Sequence, residues 1–165
     1  MWLLMEAIVI SLQKHNDKSC ILHLYSREKG REQCMVYGNK WKSVLTPMAI
    51  VDITYSGNTR LTIPSVGSVT LNYVPKRMHM DVERQCMAMF MAEVMSKTLR
   101  HPMEDVALYD YLTQVIRDID TADNISEQPM QFLTRLSMLL GYGGEMLDEW
   151  RELKSLEIVK TILMT

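Results

Sequence analysis

The side chains that could do bond chemistry are few in this sequence and poorly spaced for it. Its 165 residues hold four histidines, His15, His23, His79 and His101, and three cysteines, Cys20, Cys34 and Cys86. His79 stands seven residues before Cys86, which is not the i, i+4 spacing that sets two metal ligands on one helix face. No CxxC pair occurs, so neither a zinc ribbon nor a disulfide framework can be assembled. Phosphate loops, GxGxxG turns and GxSxG elbows are absent as well. "GYGG" at 141–144 follows a helical pattern, not a strand, and reads as a helix stop and turn. The acidic neighbours Glu104–Asp105 and Asp148–Glu149 are read as parts of solvated helix faces, where adjacent side chains diverge by about 100°. These spacings predict a protein that is not an enzyme and uses no cofactor or metal.

The chemistry that does concentrate is electrostatic. "SREKGREQCMVYGNKWK", residues 26–42, carries Arg27, Lys29, Arg31, Lys40 and Lys42 against Glu28 and Glu32, with Tyr37 and Trp41 among them. Cations along a path with aromatics between them can follow a phosphate backbone while bases stack on the rings. A polar hairpin whose rings cover the ends of a barrel accounts for the same composition. Met87, Met89, Met91 and Met95 crowd a later helical segment. They suit adaptable core packing first, with a soft groove for an apolar peptide on an interaction adaptor as the alternative.

The elements that must position these groups fall into two halves. Residues 1–77 carry ten Lys or Arg against five Asp or Glu, and residues 78–165 carry eight against fifteen. A basic half joined to an acidic one points to two modules with different partners. The first half has the strand period: "AIVISL", "SCILHLYS", "EQCMVYG", "MAIVDITYSG", "TRLTIPSV" and "SVTLNYV", punctuated by glycine turns. Five or six short strands in about 75 residues suit an OB-type or SH3-type barrel. Lys29-Gly30 makes a tight turn, after which Arg31, Gln33, Met35 and Tyr37 share one strand face and Cys34 and Val36 the other, toward the core.

The period changes after Pro75. Asp81 caps a helix running to about Leu99, with Met87, Phe90, Met91 and Val94 inward. A second helix starts at Asp105 and buries Leu108, Leu112, Val115, Ile116 and Ile119. Ser126 caps a third, with Pro129 in its first turn and Gly141 at its stop. A last helix starts near Glu145. The opening "MWLLMEAIVI" reads as a strand and not a signal peptide, and no apolar run reaches the roughly 20 residues of a bilayer span. With an odd, scattered cysteine count, the expected compartment is the reducing cytoplasm. The fold class is α+β: an all-β barrel over residues 1–78, then an all-α helical bundle over 79–165.

Taken in order, "EAIVI" (6–10), "SREKG" (26–30), "KSVLTP" (42–47), "LTIPSV" (61–66), "LYDYLTQVIRDID" (108–120) and "FLTRLSMLLGYGGEM" (132–146) resemble the RecO family of bacterial recombination mediators. The collinear set carries the likeness. Ser26 stands where the family has the Thr of a Thr-Arg-x-x-Gly turn, and Ala7 where it has a strand glycine. The four zinc-binding cysteines that many members carry after the Leu-Gly-Tyr segment are missing, which again implies no metal. The resemblance implies an OB-fold domain binding single- and double-stranded DNA. It also implies a helical domain with partners in RecR and the C-terminal tail of single-strand-binding protein, and indirectly RecA. The activity implied is strand annealing without bond chemistry, in the cytoplasm at the nucleoid. On that reading Arg27, Lys29, Arg31, Lys40, Lys42, Lys76 and Arg77 would contact phosphates, and Tyr37 and Trp41 would stack on bases.

Overall fold

In the computed structural model, the structure describes residues 4–56 and 63–142. Five strands form a closed barrel: β1 (Leu4–Lys14), β2 (Ser19–Ser26), β3 (Gly30–Tyr37), β4 (Ile50–Ser56) and β5 (Ser65–Tyr73), in the order β1-β2-β3-β5-β4. All pairings are antiparallel except β3 with β5, which is parallel and closes the ring through Met35 opposite Ser65. This is the five-stranded OB arrangement, and it decides between the two barrel types that strand count alone allows.

Alternation builds the interior. Met5, Ala7 and Val9 of β1, Leu22 and Leu24 of β2, Cys34 and Val36 of β3, Val51 and Ile53 of β4, and Val69 of β5 form the barrel core. Burial in this core pushes the Cys34 thiol up to about 12. Strand β1 is buried on both sides, since Ile8 and Ile10 on its other face are also inaccessible. A later helix, over Val82–Thr98, packs against β1 and supplies cover outside the barrel. The register shifts between Val9 and Ser11, so Ile10 is the extra residue of a β-bulge, a device that bends a strand around a small barrel.

The segment "TRLTIPSV" does not add a sixth strand where it is described. Ile63 and Pro64 are irregular, and Ser65–Val66 already belong to β5. The reason is Pro64, which has no N–H to give a ladder and instead accepts at its carbonyl from Met35 N–H at 2.8 Å. Residues 59–62 of that expected strand, the helix expected from Glu145, Gly143–Gly144 and the pair Asp148–Glu149 lie outside the described residues.

After β5 comes a short helix, α1 (Lys76–Met80), which periodicity cannot reveal in five residues. Helix α2 (Val82–Thr98) follows, with the Asp81 carboxylate accepting from Glu83 N–H. Its buried residues are Arg84, Met87, Ala88, Met91 and Met95, so Phe90 and Val94 sit at the margin of the inward face. Helix α3 (Val106–Thr121) starts as Asp105 accepts from Leu108 N–H and buries Leu108, Leu112, Val115, Ile116 and Ile119. Asp105 is therefore a capping group, not part of a solvated helix face.

Two buried polar residues tie these helices to the barrel end. Asp120 accepts from the Tyr73 hydroxyl at 2.7 Å, from Arg77 N–H at 2.7 Å and from Met78 N–H at 3.2 Å. Arg84, 3% exposed, donates to the Ile119 carbonyl at 3.0 Å, to the Ala122 carbonyl and to Asp81. Each polar atom of these two side chains thus meets a partner of opposite character, as burial demands.

The chain divides into two compact units, one up to Ile125 and one from Ser126 onward. In the second, α4 (Gln128–Leu139) holds Pro129 in its first turn and buries Phe132 and Leu136. Its cap position is Glu127 instead of Ser126, and no side chain caps it; the chain enters the helix one residue later than the serine suggests. Gly141 stops it at φ +87°: Tyr142 N–H bonds to the Ser137 carbonyl and Gly141 N–H to that of Met138, a Schellman closure.

Candidate nucleic-acid interface

The β2–β3 ribbon presents Ile21, His23 and Tyr25 from one strand and Arg31, Gln33, Met35 and Tyr37 from the other on its outer face, opposite the core residues Leu22, Leu24, Cys34 and Val36. The cross-strand neighbours are Ile21 with Met35, His23 with Gln33, Tyr25 with Arg31, and Ser19 with Tyr37. In OB barrels this ribbon, with the loops between strands 1 and 2 and between strands 4 and 5, forms the oligonucleotide surface. Its two ends have different characters.

At the turn end, a three-residue loop leads to Gly30 at φ +71°, a left-handed conformation open to glycine without strain. Gly30 also bridges Pro102, and a Cβ there would stand 2.2 Å from the Met103 carbonyl oxygen. The Arg27 guanidinium is engaged by the Asp110 carboxylate, which raises its pKa, and lies 5.5 Å from the centroid of the Tyr109 ring. Tyr109 in turn stacks on Tyr25 with centroids 6.5 Å apart. Burial, with Asp105 nearby, pushes the Tyr25 hydroxyl up to about 12. Lys29 stands 3.6 Å from Glu32 and 5.8 Å from the Tyr55 ring centroid. This end of the ribbon is clasped by α3 and the loop before it.

At the other end Lys40 and Lys42 have no carboxylate partner among the described residues. Tyr37 is 62% exposed. Gly38, at φ +73°, turns the chain while its N–H bonds to the Lys18 carbonyl at 2.9 Å, which sets the β1–β2 loop beside the β3–β4 loop. Lys40 lies 4.4 Å from the Trp41 ring centroid, and Lys42 is exposed. Trp41 is half-buried against the barrel core, and its carbonyl accepts from Val44 and Leu45 N–H. One surface of the indole is thereby fixed by packing. Lys14 pairs with Asp17 at 2.9 Å, leaving Lys18 as the exposed, unpaired lysine of the β1–β2 loop among the described residues.

Of the nine residues singled out from sequence, the fold brings Tyr37, Lys40, Trp41 and Lys42 together at one barrel end. Arg31 sits one residue pair in from the turn, and Arg27 and Lys29 are at the clasped turn itself. Lys76 and Arg77 lie apart on α1. Lys76 is exposed, while Arg77 donates to the Thr121 and Ala122 carbonyls at 3.1 and 3.2 Å and so is occupied in holding α1 to α3. Sequence reasoning passed over Lys18 and His23. Lys18 could have been found as the basic residue of the β1–β2 loop, since OB barrels use that loop. His23 could have been found as an outward residue of "SCILHLYS".

Among the described residues no group of three or more His, Cys, Asp or Glu side chains is arranged to hold a metal ion. None of the described helices is long and apolar enough to cross a membrane.

Comparison with known proteins gives consistent matches along the chain. A family model described as Recombination protein O N terminal matches residues 1–71, and one described as Recombination protein O C terminal matches residues 79–148. A DNA repair protein RecO of Porphyromonas gingivalis is 27% identical over 160 residues, covering 88% of this chain and 65% of the relative. One of Phocaeicola vulgatus is 28% identical over 141 residues, covering 81% and 58%, and one of Bacteroides fragilis is 30% identical over 145 residues, with the same coverage. The chain thus spans less than two thirds of the length of these relatives.

Proposed function

We propose, for a chain that belongs to the RecO family, a role in DNA repair and recombination: it binds and anneals single-stranded DNA and helps load RecA. The observation that carries this reading is the barrel end where Tyr37, Lys40, Trp41 and Lys42 converge beside Lys18 of the β1–β2 loop, at the end of the ribbon that OB barrels use for oligonucleotides. Cations without carboxylate partners are free to replace the counterions of a phosphate backbone. An exposed phenol and a packed indole offer the flat surfaces on which bases stack, at about 1–3 kcal/mol per base.

Annealing needs no bond to be made or broken. It requires holding a flexible strand by its backbone while its pairing edges stay open to a second strand. Backbone cations and stacking rings do that, and we assign no catalytic side chain. We further propose the division of labour that sequence suggests: residues 1–78 contact single- and double-stranded DNA. Residues 79–165 supply the surface for RecR and for the tail of single-strand-binding protein. A second reading, an interaction adaptor, is favoured by Met80, Val82 and Met89, which are 85, 74 and 69% exposed.

Titration of a labelled single-stranded oligonucleotide across salt tests the first reading. Binding that weakens linearly in log–log form as salt rises supports it; absent or salt-independent binding overturns it. An annealing assay with complementary strands, bare and coated with single-strand-binding protein, tests the mediator role itself.

A further inference from the structure

The ribbon between its midpoint and its turn holds an arrangement that the loop-end cations do not explain. Arg31, half-buried on β3, donates from Nη2 to Nδ1 of His23 on β2 at 3.3 Å. Its Nη1 is shielded from solvent and has no hydrogen-bond partner among the described residues. No carboxylate of the described residues lies within ion-pair distance of this guanidinium, although Arg27, Lys29, Arg84 and Lys14 each have one. Glu32, its neighbour in sequence, is on the barrel-core side of β3 and stands by Lys29.

A partly desolvated cation with donors to spare and no counter-charge is costly to keep, and such groups gather at sites that receive an anion. The histidine fits that role. To accept from Arg31, Nδ1 must be unprotonated. Burial and the Arg31 charge both hold the His23 pKa down, which agrees with a neutral ring in the free protein. The other groups around the pair are Tyr25 opposite Arg31, Gln33 opposite His23, and Ser11 of β1 beside His23; Asp105 lies toward Tyr25.

Resting on the DNA-binding reading above, we propose that Arg31 and His23 form one phosphodiester subsite on the turn-side half of the β2–β3 outer face, with His23 as a positioning residue that takes up a proton when the phosphate arrives. The phosphate oxygen supplies the missing negative charge to Arg31. Once that charge is present, it favours the imidazolium, whose N–H groups add donors to the same anion. The proton comes from bulk water, and no covalent bond changes. Strand binding is therefore linked to pH at this one position.

The experiment uses the full chain and a labelled single-stranded oligonucleotide at constant ionic strength from pH 6 to pH 8. The variants are His23→Asn, which keeps an acceptor at the δ position but cannot titrate, and Arg31→Gln. The unaltered protein should bind several-fold tighter at pH 6 than at pH 8. His23→Asn should show a flatter profile across the same range. Arg31→Gln should bind about tenfold or more weakly, the worth of one hydrogen bond to a charged group. Calorimetry in two buffers of different ionisation enthalpy should show net proton uptake at pH 7 for the unaltered protein and markedly less for His23→Asn. Parallel pH profiles for the unaltered protein and His23→Asn, or Arg31→Gln binding as well as the unaltered protein, overturn the subsite while leaving DNA binding intact. No binding by the unaltered chain at low salt overturns both.

Discussion

Arg27 and Asp110, 83 positions apart in sequence, meet as a guanidinium–carboxylate pair with the Tyr109 ring against the same guanidinium. The contact turns a cation that sequence assigns to DNA into a fastener between the β2–β3 turn and α3. Arg27→Ala should therefore lower stability slightly, through loss of an exposed ion pair and one cation–π contact together. Oligonucleotide affinity should change little. Urea unfolding and strand titration on the same sample check both halves of the expectation.

Lys40→Ala combined with Lys42→Ala should do the reverse. Neither lysine has an ion-pair partner among the described residues, so the melting temperature should hold. Single-strand affinity should fall, and the log–log salt slope should flatten by about 1.4, at ~0.7 for each of two lost phosphate contacts. An unchanged slope would place the phosphate path elsewhere on the barrel.

Tyr37→Ala removes a ring that is 62% exposed. It should leave folding intact and weaken single-strand binding by about 1–3 kcal/mol, the value of one stacked base. Trp41 calls for Trp41→Phe, because its ring also packs on the barrel core and alanine there would confound binding with unfolding. Indole fluorescence on strand addition reports that position as the difference between the unaltered protein and Trp41→Phe, since Trp2 and Trp150 also emit.

Gly30→Ala should be among the most damaging single changes. The methyl group meets the Met103 carbonyl at 2.2 Å, and the residue must hold φ +71°. Left-handed strain alone is of order 1–3 kcal/mol. Chemical denaturation should show a midpoint shift at unchanged slope, and failure to see one would mean that the loop before α3 yields easily.

Protonation of His23 gives a stability prediction with a definite sign. Its folded pKa is held below the ordinary 6.5 by burial and by Arg31. As pH falls through 6.5 the unfolded chain takes up the proton first, so stability drops from there down to the folded pKa and then levels. The unaltered protein should lose stability between pH 7 and pH 5 relative to His23→Asn in paired melts.

Much of this architecture is legible in the sequence because local patterns and tertiary demands agree. The alternation in "SCILHLYS" and "EQCMVYG" matches β2 and β3, and the Asp81 and Asp105 caps fix the starts of α2 and α3. What could not be read depends on contacts distant in sequence. Nothing near Arg27 announces Asp110, and nothing near Arg77 announces the carbonyls of Thr121 and Ala122. The strand "TRLTIPSV" failed in its described part for a local reason, Pro64, whose carbonyl closes the barrel. Helix α1 is too short for any periodicity. The same limit hides the His23–Arg31 pair, which exists only once the β2–β3 register is set.

That register leaves the ring unevenly sewn. β2 meets β3 over eight consecutive residue pairs, from Ser19 with Tyr37 to Ser26 with Gly30, whereas β3 meets β5 at Met35 with Ser65 alone. A closed sheet opens first along its thinnest seam, because fewest backbone hydrogen bonds must break there. The amide proton of Met35, which points across that seam to Pro64, should exchange with deuterium sooner than the amides that join β3 to β2. The strand carrying Arg31 and Tyr37 is thus also the strand along which the barrel breathes.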